Sequence, residues 1–159
     1  HHMRDLGTPV YGREFFATIL QKFPDDASLV IGYSGSAPVS CAFLLANGGE
    51  WEIPWASTLR AANRINANMA LYASVLDYII QKRGSRFDFG RSTIDAPTHK
   101  FKKQWGAVEV PCYWYYSNPH MAGALTTDSK KFALAIKAWQ RLPLPIANLL
   151  GPRLVRNLP

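Results

Sequence analysis

Apolar positions recur along this chain in two periods. From Thr8 to Phe23 they fall at helical spacing, at Phe15, Phe16, Ile19, Leu20 and Phe23. Thr8 can cap this helix, Pro9 suits its first turn, and Pro24 closes it. Short apolar runs follow at Ser28 to Tyr33, Pro38 to Ala46 and Glu50 to Trp55. Ser34-Gly35-Ser36 separates the first pair, and Asn47-Gly48-Gly49 separates the second. The latter is a hairpin signal, because those residues accept positive φ. These runs predict an antiparallel meander of three strands.

The longest helical pattern runs from Ile65 to Arg83, with a stripe at Ile65, Met69, Tyr72, Leu76 and Ile79. Asn66 is placed to cap it, and Gly84 to stop it at C′. Arg86 to Gly90 predicts a short strand with Phe87 and Phe89 on one side and Asp88 on the other. A short helix is expected over His99 to Trp105, and a strand over Val108 to Tyr116, at an edge or bulge given Pro111. Asp128 can cap a helix carrying Phe132, Ile136 and Trp139. The expected architecture is α+β, a mixed, mostly antiparallel sheet with helices on both faces.

Composition narrows the picture. Of 159 residues, 48% are apolar, enough for a real core and unlike a disordered chain. His1 to Met3 read as a tag remnant, residues 4–141 as one domain, and Leu142 to Pro159 as a Pro/Leu/Arg-rich extension that packs on the domain or on a partner. No apolar run is long enough to span a bilayer. Cys41 and Cys112 lie far apart in strand-like runs and read as buried free thiols. Their spacing fits neither a zinc site nor a disulfide framework. The net charge of +7 suits a polyanionic partner such as tRNA, and equally a merely soluble basic surface. There is no Walker loop, no Ser-His-Asp set and no metal-ligand cluster, so no metal is expected.

The element order resembles the GNAT acyltransferase fold. Gly7-Thr8-Pro9-Val10-Tyr11, Pro54-Trp55-Ala56-Ser57-Thr58-Leu59-Arg60 and Asn66-Ala67-Asn68-Met69 narrow the likeness. So do Phe87-Asp88-Phe89-Gly90-Arg91-Ser92-Thr93 and Phe101-Lys102-Lys103-Gln104-Trp105-Gly106-Ala107. In that order they resemble FemAB-related proteins associated with exosortase/PEP-CTERM exopolysaccharide systems. The resemblance implies a bacterial, cytoplasmic acyltransferase working near the inner membrane face. It also implies an N-terminal GNAT-like sister domain beyond this chain. Relatives in the wider family transfer an amino acid from aminoacyl-tRNA to an amine of a peptidoglycan precursor. For this branch, peptidoglycan, a polysaccharide and a protein all stay open as acceptors. A non-catalytic domain that supports its sister, and a plain RNA-binding module, are the competing readings.

Ordinary GNAT enzymes cradle the coenzyme A pyrophosphate on a glycine-spaced loop leading into a helix. Here the matching stretch, Leu59-Arg60-Ala61-Ala62-Asn63-Arg64, has no glycine. That argues against acetyl-CoA as a cofactor and leaves aminoacyl-tRNA as the candidate donor, with Arg60 and Arg64 able to hold a phosphate. Acyl transfer needs an oxyanion stabiliser and a proton acceptor. The resemblance places Lys102 beside the reacting carbonyl; a solvated basic turn is the alternative. Lys103 and Lys100 are candidate phosphate contacts or plain surface. Asp88 could take a proton, orient the amine, or pair with Arg91 or Arg86. The Arg91 fork suits an anion. His99 has the titration range of a general base. Trp55 and Trp105 either wall a pocket or pack the core, and Ser57 and Asn68 can hydrogen-bond substrate.

Overall fold

The computed structural model describes residues 1–113, 115, 117 and 130–155, with the side chains of 130–133 left out. Helix α1 is His2–Asp5 and α2 is Arg13–Lys22. Strands β1 (Ala27–Ser34), β2 (Ala37–Asn47) and β3 (Glu50–Thr58) form the expected antiparallel meander. A 3-10 turn at Arg60–Ile65 leads to α3 (Ala67–Gln81). Then come β4 (Arg86–Asp88), α4 (Pro97–Gln104), α5 (Lys130–Gln140) and α6 (Leu144–Leu154). The sheet order is β1-β2-β3-β4, and β4 runs parallel to β3.

Alternation on β2 assigns the two faces. Ala42 and Leu44 join Trp51, Ile53, Leu71, Val75 and Ile79 in the core beneath α3. Phe43 points the other way, against Phe16 of α2 and Trp55. A bulge lies between the pairs Phe43↔Trp55 and Leu45↔Glu52, where β3 spends one residue more than β2. Pro54, which has no N–H to donate, sits inside it. The extra residue reverses the parity of β3. Trp51 and Ile53 face α3, whereas Trp55 and Ser57 face α2, and their neighbour Thr58 returns to α3.

Several expectations change. The helix expected from Thr8 is α2, which starts at Arg13 with Gly12 as N-cap, and none of its residues is fully buried. Residues 8–12 run instead as a strap on which α6 packs: a Cβ on Gly151 would stand 3.0 Å from the Val10 carbonyl oxygen. The residues before the strap are structured too. Gln140 Nε2 donates to the Asp5 carbonyl, and Arg4 Nη1 to that of Leu142.

The buried stripe of α3 is Ala67, Leu71, Val75 and Ile79, while Ile65 and Met69 are exposed. Asn66 is left-handed, at φ 53°, so α3 begins with a new phase after the 3-10 turn. Its side chain makes no cap bond. At the other end Arg83, not Gly84, takes the left-handed position, at φ 58°. Arg83 N–H donates to Ile80 O and Gly84 N–H to Ile79 O, a Schellman closure with Gly84 at C″. Glycine is required at position 84 for space: a Cβ there would meet Ile79 Cγ2 at 2.5 Å and Trp51 Cδ1 at 2.7 Å.

The strand expected from Val108 is not formed over residues 107–113, and Val108, Val110, Tyr113 and Tyr115 are exposed. Pro111 lacks the donor that a ladder would need. Cys112 is therefore exposed rather than buried, and Cys41 is half-buried. The Leu142–Pro159 extension is helical over α6, with Pro152 inside it. The Asp128 cap and the side chain of Phe132 lie outside the described residues.

Candidate functional site

Strands β3 and β4 pair only over Glu50↔Arg86, Trp51↔Phe87 and Glu52↔Asp88. Beyond Glu52 the bulge interrupts β3, which continues to Thr58 paired with β2 only, while β4 stops. Past Glu52 and Asp88 the two parallel strands no longer pair, with the start of α3 following one and the Gly90 turn following the other. Crevices outside the carboxyl ends of parallel strands are where open α/β sheets take ligands.

On the β4 side the Phe87–Gly90 and Phe101–Gly106 segments are joined by aromatic contacts. Phe87 and Phe89 meet at 4.6 Å between centroids, Tyr72 of α3 stacks on Phe89 at 5.9 Å, and Phe101 meets Tyr72 edge-on at 4.9 Å. Trp105 stacks over Tyr72 at 6.3 Å, with its Nε1 buried and unpartnered among the described residues. Burial in this cluster raises the Tyr72 hydroxyl pKa above its ordinary value.

Above the cluster, Lys102 Nζ donates to Gly90 O at 2.8 Å and to Arg91 O at 2.9 Å. Burial lowers the Lys102 pKa, opposed by the nearby Asp88 carboxylate. Asp88 Oδ1 accepts the Gly90 N–H at 2.6 Å, which closes the turn at φ 73°. Arg86 pairs with Glu50 at 3.3 Å, not with Asp88. Asp88, Arg91 and Lys102 are thus brought to one turn. An ammonium has three donors, so Lys102 keeps one beyond its two carbonyls.

His99 and Lys103 belong to a separate cluster. His99 Nδ1 accepts the Asp95 N–H at 3.0 Å, so the neutral ring carries its proton on Nε2. Nε2 stands 3.0 Å from Glu109 Oε1. Lys103 Nζ reaches the same oxygen at 2.8 Å. Lys103, first, and then His99 hold the Glu109 carboxyl below its usual range.

The remaining candidates line the β3 side. Thr58 is buried, and its Oγ1 donates to Asn68 Oδ1 at 3.2 Å, which ties the end of β3 to the first turn of α3. Arg60 and Arg64 are exposed on the 3-10 turn. Within that turn Ala62 N–H is spent on Leu59 O, and Asn66 N–H on Asn63 O. Trp55 and Ser57 stand on the opposite face of the sheet. Sequence reasoning missed the bulge that puts them there; Pro54 within an apolar run was the available signal.

The family profile described as "Acetyltransferase (GNAT) domain" matches residues 1–103, and the chain belongs to that family. Among solved structures, AAC(6')-Iy in complex with the bisubstrate analogue CoA-S-monomethyl-acetylneamine is similar in fold. That likeness has a TM-score of 0.52 at 15% identity and covers 64% of this chain and 74% of the other. No curated protein matches the chain. Among the described residues no helix is long and apolar enough to cross a membrane.

Proposed function

We propose that this GNAT domain is an acyltransferase of FemAB type, which moves an aminoacyl or other acyl group to an amine on a cell-envelope or exopolysaccharide-related substrate. The observation that carries the reading is the end of the β3–β4 pairing at Glu52 and Asp88, which we read as a splay of the two strands, with Lys102 fixed on the turn after β4 and Arg60 and Arg64 on the 3-10 turn after β3. The donor carbonyl would lie in the splay. The acceptor nitrogen forms the new C–N bond, the donor C–O bond breaks, and the proton that the amine loses ends on the departing ester oxygen. The free donor of Lys102 would face the oxyanion. Asp88, whose carboxylate acts on Lys102, would take the proton, because His99 lies in the separate cluster with Lys103 and Glu109. Arg60, Arg64 and Arg91 would take donor phosphates, with Lys103 at the periphery.

The glycine-free 3-10 turn supports a donor other than acetyl-CoA, since two of its N–H groups are already bonded within the turn. The net charge of +7 suits a tRNA-borne donor. The test is binding of charged tRNA, uncharged tRNA and acetyl-CoA side by side, to this chain and to any longer protein containing it. A preference for the charged tRNA supports the reading. Tight acetyl-CoA binding sinks the choice of donor.

A second reading has its own observation. Both Lys102 bonds are to backbone carbonyls of the β4–α4 connection, which suits a clasp as well as it suits catalysis. On that reading the domain is a scaffold for a catalytic sister. Full turnover after substitution of Lys102 would favour it.

A further inference from the structure

We propose that the outer face of α6 docks on an anionic lipid surface, with its aliphatic stripe in the headgroup layer and the basic residues of the C-terminal helices against the lipid phosphates. The inference goes beyond the transferase reading and does not rest on it. Helix α6 is apolar on two sides. Its inner row, Ala147, Gly151 and Val155, is buried. That row packs on the strap: a Cβ on Gly151 would stand 3.1 Å from Val10 Cγ2, and one on Gly12 3.5 Å from Pro152. The outer row is aliphatic as well. Ile146, Leu150 and Leu154 recur at i, i+4 and i+8, with Leu149 beside them, and they are 44%, 37%, 45% and 67% exposed. A helix at the margin of a water-facing core carries its large apolar residues inward and polar ones outward. Here the inner row is the smaller one and the outer row holds the leucines, so the larger hydrophobic gain is still to be made outside the domain.

Charge says what covers the stripe. Residues 130–159 hold six of the chain's 18 lysines and arginines and none of its 11 aspartates and glutamates. The residues before them carry twelve basic against eleven acidic side chains, so nearly all of the net +7 sits in this one stretch. Lys137 of α5 and Arg141 at its end are exposed, and Arg153 is on α6 itself. Asp5, whose carbonyl meets this stretch through Gln140, already has its carboxylate held by Arg4 at 2.6 Å. An aliphatic face within a segment of a single sign of charge fits a leaflet with anionic headgroups, and each lysine or arginine near such a surface strengthens binding about fivefold. Protein interfaces are enriched in aromatic side chains, and the outer row has none. With 11 residues against the ~20 that a span needs, α6 would lie in the plane of the interface rather than cross it.

The test is co-sedimentation of the whole chain, and of any longer protein containing it, with vesicles of phosphatidylcholine alone or of phosphatidylcholine and phosphatidylglycerol in equal parts. The mixed vesicles should bind, and the neutral ones roughly tenfold or more weakly. Ile146→Asn with Leu149→Asn removes two aliphatic contacts at constant charge and should weaken binding about 50-fold. Lys137→Gln with Arg141→Gln leaves the stripe intact and should weaken it about 25-fold, at fivefold per charge. Equal binding to both vesicle types, or no binding to either, would overturn the proposal. So would binding that the asparagine pair leaves untouched, since a basic surface would then be adsorbing without insertion. Binding by this chain that is lost in a longer protein would show the stripe covered by the rest of that protein, and self-association abolished by the asparagine pair, without vesicle binding, would show it covered by a second copy; either overturns the proposal. Vesicle binding in a chain that ignores charged tRNA and acetyl-CoA alike would keep the lipid surface while removing the transferase reading. Acyl transfer with no vesicle binding would do the reverse.

Discussion

Lys102→Met tests the clasp on which the functional reading turns. Methionine keeps the apolar stem and removes the ammonium, so the carbonyls of Gly90 and Arg91 lose their donor. A hydrogen bond to a charged group contributes about 1.5–3 kcal/mol when well shielded. Lys102 is only half-buried, so water replaces much of each bond, and the pair should net about 1–2 kcal/mol. For a chain of this size that corresponds to a Tm drop of roughly 2–8 °C. Guanidinium denaturation should show a lower midpoint at an unchanged slope, because the surface exposed on unfolding hardly changes. An unchanged midpoint would refute the clasp. Activity separates the two roles. If the third donor also meets the oxyanion, kcat falls roughly 100- to 1000-fold with KM little altered. A lower midpoint with kcat intact leaves Lys102 as a clasp alone and favours the scaffold.

Other substitutions probe neighbouring claims. Gly84→Ala drives a methyl into Ile79 and Trp51 and should cost about 1–3 kcal/mol in thermal denaturation, whereas Arg83→Gly relieves a left-handed arginine and should stabilise by up to about 1 kcal/mol. Equal signs for that pair would contradict the Schellman closure. Glu109→Gln removes a contact whose carboxyl pKa is held below 4.5 and whose Lys103 pKa is held above 10.5. Its stability contribution is fully present above pH 4.5 and is lost as pH falls through the depressed value; it is also lost as pH rises through the elevated lysine value. The Tm gap between parent and variant should therefore close at both ends of a pH series. Arg60→Ala with Arg64→Ala should weaken tRNA binding and flatten its salt dependence by about one to two counterions in a filter-binding titration. An unchanged slope would place the phosphates elsewhere.

The strands and their order were legible because apolar runs and an Asn-Gly-Gly turn are local signals. Gly48 and Gly49 do take positive φ, at 58° and 86°. What failed was phase. The stripe assigned to α3 began at Ile65, but the chain resets at Asn66, and the buried row runs from Ala67 to Ile79 instead. A left-handed residue inside an apolar pattern leaves no mark on its periodicity. Likewise Val108, Val110 and Cys112 alternate as a strand would, yet a strand needs a partner edge, and alternation alone supplies none. The candidate residues scattered for a similar reason: Lys102 and Lys103 are neighbours in sequence but leave α4 for different clusters.

The bulge at Pro54 shapes both faces of β3. Without it, β3 would keep its parity, Trp55 would point toward α3 beside Trp51 and Ile53, and the ladder with β4 could run on past Glu52. One extra residue therefore does two things together. The β3–β4 pairing ends there, and Trp55 passes to the α2 face, against Phe16 and Phe43. Arg60 and Arg64 lie exposed on the 3-10 turn before α3, while on the α2 face Phe16, Phe43 and Trp55 pack against one another. The bulge thus gives the two faces of β3 different neighbours, Trp51 and Ile53 under α3 and Trp55 against α2.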